Sequence, residues 1–167
     1  QLAHLLADSE PEARISAARA IGYAGQPAGI PLLRFKAVSG DSNPQVLCEC
    51  FDALIKLDPE PSLAFVAGFL QHDEPGFQEA AAVALGESQL VQALLFLETA
   101  WEDAAEPELR RTFLLGIALL RQERALDFLL RLVSEGGRTR AQEALEALGV
   151  YREDSRIWER VQHALEG

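Results

Sequence analysis

The chain has 167 residues, 49% of them hydrophobic and 25% charged, a balance that suits a folded chain of about one domain and excludes extended disorder. Its formal charge is −11 and its isoelectric point about 4.7, so a phosphate backbone is repelled and no nucleic acid partner is expected. No apolar run approaches the roughly 18 residues of a membrane span, and the opening QLAHLLADSE lacks the basic start of a signal peptide, so no membrane partner is expected and the expected location is cytoplasmic.

In chain order, QLAHLLA reads as the tail of a helix. The turn DSEPE (8–12) follows, and its proline opens a second helix, because a proline in the first turn has no hydrogen bond to lose. Asp8 and Ser9 are placed to accept bonds from the free amides of that helix. IPLLRFKAV (30–38) is the next helix, and the turn then returns as DSNPQ (41–45), with Asp41 and Ser42 in the capping places. PSLAFVAGFLQ (61–71) and LVQALLFLETAWE (90–102) are further helices, each followed by another copy of the turn, HDEPG (72–76) and AAEPE (104–108). After RALDFLLRLVSE (124–135) the turn is GGRTR (136–140), without its proline. DSRIWERVQHALEG ends the chain with Ile157, Trp158, Val161 and Leu165 at helical spacing. No alternating strand pattern occurs.

The turn prolines Pro11, Pro44, Pro75 and Pro107 are 33, 31 and 32 residues apart. Ten residues after each stands a large aliphatic side chain, Ile21, Leu54, Leu85 and Ile117, and Leu148 continues the series; a small residue precedes each, Ala20, Ala53, Ala84, Gly116 and Ala147. Gly22, Gly86 and Gly149 fall near helix ends, where left-handed caps are expected. Such a hairpin cannot bury its apolar face alone, so its neighbours must cover it. The expected fold is an all-α superhelix of about five hairpins in one domain over 1–167, with units at 1–24, 25–57, 58–88, 89–121 and 122–150 and a final helix at 154–166. Methionine is absent even at position 1, so the chain is expected to begin inside a longer protein or after processing.

The pattern D-x-x-P-x-x-R-x-x-A-A-x-A-I-G, from Asp8 to Gly22, resembles HEAT repeats, closest to the short type of phycobilisome lyase-like proteins, and recurs over nearly the whole chain. The resemblance implies a right-handed solenoid whose second helices line a concave face, and a ladder of Asp–Arg contacts. Asp8 with Arg14 matches that ladder. Asp41 stands with Leu47, and Arg110 lacks the aspartate, so the ladder is expected to be incomplete.

No catalytic constellation emerges. His4, His72 and His163 lie in different units, and no His-Glu dipeptide of the iron-binding HEAT-like hydroxylases occurs. His72 stands where the turn aspartate would and is expected to cap a helix. Cys48 and Cys50, two apart on a helix, do not face each other, and two free thiols suit a reducing compartment. GGRTR lacks the lysine of a phosphate loop. No cofactor, metal or enzymatic activity is expected; the alternative is a lyase-like subunit that handles a chromophore.

The resemblance places binding on the second helices. The exposed stripe expected there contains Glu12, Ile15, Ser16, Arg19 and Tyr23; Cys48, Glu49, Asp52 and Lys56; Glu79, Ala80, Val83 and Glu87; Arg111, Leu115 and Leu119; and Glu143 and Glu146. Residues 58–109 hold eleven acids and no Lys or Arg. Helix-start electrostatics explain many of the acids but not the missing bases. The expected function is a scaffold that binds a protein or peptide of basic character, with Glu12, Ile15, Arg19, Glu49, Asp52, Glu79, Val83, Glu87, Arg111, Leu115 and Leu119 as the contact residues. Self-association is a further expectation.

Overall fold

The computed structural model describes residues 2–166. It contains helices α1 (Leu2–Leu5), α2 (Pro11–Ala24), α3 (Ile30–Ser39), α4 (Pro44–Leu57), α5 (Pro59–Ala67), α6 (Pro75–Glu87), α7 (Ala93–Asp103), α8 (Pro107–Leu119), α9 (Glu123–Glu135), α10 (Gly137–Leu148) and α11 (Ser155–Glu166). Short 3-10 turns at Pro27–Gly29, Gly68–Gln71 and Gly149–Tyr151 extend three of the connections, and no strand is present among the described residues. The all-α solenoid expected from the repeat is what the chain forms.

Pro11, Pro44, Pro75 and Pro107 each occupy the start of a helix, where the ring fixes φ and the missing amide removes one orphan donor. The capping residues differ from the expectation. Asn43 caps α4 by accepting from the Gln45 amide at 2.9 Å, whereas Asp8 and Asp41 accept from the amides of Glu10 (2.9 Å) and Asn43 (2.8 Å), still ahead of the helix. These bonds bend the turn. His72 does the same through Nδ1, which accepts from the Glu74 amide at 3.1 Å, while its ring stacks 3.9 Å from Phe77.

The second helices α2, α4, α6, α8 and α10 lie side by side, with the most extensive interhelix contacts of the molecule along the row from α2 to α8, while the outer helices meet sparsely apart from α9 with α11. The tighter row is therefore the inner side of the curve. The aliphatic series sits at its centre: Ile21, Leu54, Leu85, Ile117 and Leu148 are all buried. Each such side chain contributes about 1.5–3 kcal/mol relative to leaving it in water. Phe51, Phe65, Phe69 and Phe77 join His72 in an aromatic cluster between α4, α5 and α6.

The glycines correct a second expectation. Gly22, Gly86 and Gly149 are not left-handed; the cap of α2 is Gly25, with φ 64°. Gly86 instead lies where α6 crosses α8, and a Cβ there would fall 2.4 Å from the Gly116 carbonyl oxygen. The repeat places small residues at this depth because backbones touch there, not because the helix must stop.

Candidate functional site

The face of the second helices is where the sequence places binding. Glu12, Arg19, Tyr23, Lys56, Glu79 and Glu87 are exposed on it, and Glu49, Asp52, Val83, Arg111, Leu115 and Leu119 are half-buried. Ile15 is a correction: it is 7% exposed and belongs to the core. Ala80 and Glu143, placed on the same stripe, are buried as well. The buried arc of these helices is wider than one stripe because they pack on neighbouring second helices as well as on their hairpin partners: α4, α6 and α8 have a second helix on each side, and α2 packs on both α1 and α4.

Ion pairs cross-link the face at its two ends. Arg19 makes two bonds to the Glu49 carboxylate, at 2.5 and 3.2 Å, and Lys56 pairs with Asp52 at 2.6 Å beneath the Tyr23 ring. At the other end Arg111 bonds Glu108 at 2.7 Å, and its Nε lies 3.1 Å from Glu146 without hydrogen-bond geometry. Exposed pairs of this kind contribute about 0–1 kcal/mol each. Between the two ends, Glu79 and Glu87 have no ion-pair partner among the described residues.

Cys48 reports the field at this centre. Its Sγ lies 3.8 Å from the Ala80 carbonyl oxygen, and burial first, then the charges of Glu87, Glu79, Glu49 and Asp52, push its pKa up to about 12. Cys50 is driven equally high, mainly by burial. Both thiols are therefore protonated and poor nucleophiles at neutral pH. Among the described residues no group of His, Cys, Asp and Glu is arranged to hold a metal ion.

Two buried ion pairs lie at the ends of the helices, off this face. Arg14 grips Asp41 of the following hairpin through Nε and Nη2, both at 2.7 Å, and donates from Nη1 to the carbonyl oxygens of Asp8 and Ser9. Lys36 approaches the same carboxylate at 2.7 Å. Burial alone would raise the Asp41 pKa; the bonds from Arg14, Lys36 and the Asn43 amide outweigh it and hold the value at about 2. Arg110 binds Glu143 in the same way, at 2.9 and 3.1 Å. The ladder expected between Asp8 and Arg14 thus runs forward, from the arginine of one hairpin to an acid of the next, and Glu143 supplies the acid where an aspartate is missing.

On the outer row, a groove of about 800 Å³ lies between α9 and α11, with Arg124, Arg131, Arg156 and Arg160 around it. It went unread in the sequence because its two helices are separated by α10, and only their periodicity could have shown which side of each faces the other. Arg160 is engaged by Glu123 and Asp127, which offsets part of its charge.

Stacked helical hairpins with a continuous core and a tight inner row define an α-solenoid, a class built from repeats that contact only their neighbours. Comparison with known families matches HEAT repeats over residues 1–86, 34–118 and 64–149. The chain belongs to the HEAT-repeat family. HEAT repeats are generally scaffolds for protein interaction and are typically non-enzymatic. Among solved structures, the crystal structure of an engineered protein from a structural genomics consortium is similar at a TM-score of 0.49 and 16% identity, covering 99% of this chain and 94% of that one. A search of curated proteins gave no significant match. No helix among the described residues is long and apolar enough to cross a membrane.

Proposed function

We propose that the protein is a non-catalytic scaffold whose inner face binds a protein or peptide of basic character. The observation that carries this reading is the contrast along one face. Glu49 and Asp52 at one end and Glu108 and Glu146 at the other are engaged in ion pairs, while Glu79 and Glu87, like Glu12 at the rim, stand unpaired, the two central acids beside half-buried Val83, Leu115 and Leu119. An arrangement of apolar anchors among unpaired charges of one sign suits a segment carrying Lys or Arg next to aliphatic side chains. Arg19, Glu49, Asp52 and Arg111 then frame the ends of the contact, Glu12 lies at its rim, and Ile15 is excluded by its burial. The free thiols suit a reducing compartment, which supports a cytoplasmic location.

The alternative of a chromophore-handling subunit gains nothing from the cysteines, since neither is a thiolate at neutral pH. Affinity capture from a lysate of the source tests the binding reading. The wild type and a Glu79→Lys, Glu87→Lys variant are compared at low and moderate salt. Proteins captured by the wild type and lost both in the variant and at the higher salt support it. Equal capture by both forms refutes it.

A further inference from the structure

Helices α10 and α11 hold a seat of the kind that α4, α6, α8 and α10 each occupy, and nothing fills it among the described residues. Three residues before the aliphatic series stand Ala18, Phe51, Ala82, Leu114 and Leu145. The first four are fully buried, whereas Leu145 on α10 is only half-buried, as is Ala141 one turn before it. Gly22, Gly86 and Gly149 share the next marked position, just after the aliphatic side chain. A Cβ on Gly22 would lie 2.9 Å from the Ala53 Cβ, and one on Gly86 would strike the Gly116 carbonyl oxygen; around Gly149 nothing lies within 4 Å. In both filled joints the touching residue is the small one that precedes the aliphatic.

The second wall of the seat is α11. On α9 the residues Ala125, Leu126, Leu129 and Val133 form a buried stripe on the side away from the arginine-lined groove, and α9 packs on α10. Ile157, Trp158, Val161 and Leu165 repeat that stripe on α11 at the same spacing. Of these only Val161 is buried. Ile157 and Trp158 are half-buried, Trp158 with the Arg152 guanidinium 5.6 Å from its ring centre, and Leu165 is 56% exposed. A capping helix keeps such a face polar, and α11 keeps it apolar.

The filled joints identify the occupant. Each of α4, α6, α8 and α10 rests on the preceding second helix and on a first helix, and each brings a small residue followed by a large aliphatic one. A second copy of the chain has no such helix free. Its α4, α6, α8 and α10 are already enclosed, and its α2, though open beside exposed Ala20, has α1 packed in the place that α11 would take. The free stripe of a second α11 contains no small residue to meet Gly149.

We infer that α10 and α11 form a docking seat for one helix of a partner protein that carries Ala or Gly followed by Leu or Ile. Its small residue lies against Gly149, and its apolar face covers Leu145, Trp158 and Leu165. This seat is separate from the inner face, so the two binding readings succeed or fail independently.

The test uses a fluorescein-labelled peptide with the sequence of residues 8–24, which carries the Ala20, Ile21 pair. Arg19→Glu and Tyr23→Lys in the peptide, joined as a lactam on its exposed side, hold it helical. Fluorescence anisotropy is read against the whole chain. The expected result is saturable binding, weakened about tenfold or more by Ala20→Leu in the peptide and equally by Gly149→Leu in the protein, because either side chain blocks the close approach. Gly149 has open space and a helical φ of −55°, so the protein variant keeps its fold, which circular dichroism checks. Gly68→Leu, also in open space but far from the seat, should leave binding unchanged. No binding overturns the inference, and so does binding that neither Ala20→Leu nor Gly149→Leu weakens. Sedimentation of the wild type as a dimer that Gly149→Leu dissociates also overturns it, because a second copy then fills the seat.

Discussion

Replacing Asp41 by asparagine removes the charge at the most enclosed ion pair of the chain while keeping the shape of the side chain. The Asp41 carboxylate is 2% exposed and receives Arg14, Lys36 and the Asn43 amide. Its pKa falls from 3.8 in a free chain to about 2, which at 1.36 kcal/mol per unit corresponds to about 2 kcal/mol of stability at neutral pH. The sign follows from proton uptake. The folded value is the lower one, so the unfolded chain takes up the proton first as pH falls. The contribution is complete above about pH 5, about half remains at pH 3, and it vanishes below about pH 2. Asp41→Asn should therefore lower the melting temperature at pH 7 by about 4–8 °C, and the gap to the wild type should narrow progressively below pH 4. Thermal melts by circular dichroism across pH 7 to 3 measure both, and hydrogen exchange of the α2 and α3 amides locates the loss. A variant that melts within about a degree of the wild type at pH 7, or a gap that stays constant with pH, refutes the reasoning.

Other outcomes follow from the same contacts. Arg110→Ala leaves Glu143 buried without a cation and should cost about 2–4 kcal/mol, most of it recovered by adding Glu143→Leu, as double-mutant denaturation will show. Gly86→Ala forces a Cβ against the Gly116 carbonyl oxygen and should destabilise by about 1–3 kcal/mol, whereas Gly68→Ala, with open space around it and helical dihedrals, should be neutral or stabilise by up to about 1 kcal/mol in urea titrations. With pKa values of about 12, Cys48 and Cys50 should resist a disulfide reagent at pH 8 in the folded protein and react at once in denaturant. Fast labelling of the native chain would show that burial is not protecting them.

The helix starts were legible because their cause is local. Pro11, Pro44, Pro75 and Pro107 each act on the backbone beside them, and the aliphatic series ten residues on marks the core without any knowledge of neighbours. What failed was non-local. Gly86 reads as a helix end until α8 is seen against it, and Arg14 reads as a partner of Asp8 until the next hairpin brings Asp41 within reach. Ile15 was misplaced for the same reason: α2 packs on α4 as well as on α1, and so buries a broader arc than an amphipathic stripe suggests. Phe35 and Leu95 were visible as apolar residues in IPLLRFKAV and LVQALLFLETAWE, but the sequence does not show that no neighbour covers them.

The distribution of ion pairs also sets how the array responds to salt. Charged couples tie the first hairpin to the second, the fourth to the fifth and the fifth to α11, but none spans the joints from α4 to α6 or from α6 to α8 among the described residues. Those middle joints rest on dispersion between alkyl and aromatic groups and on close backbone contact. Added salt therefore screens the exposed couples of the end joints and leaves the joints on either side of α6 untouched.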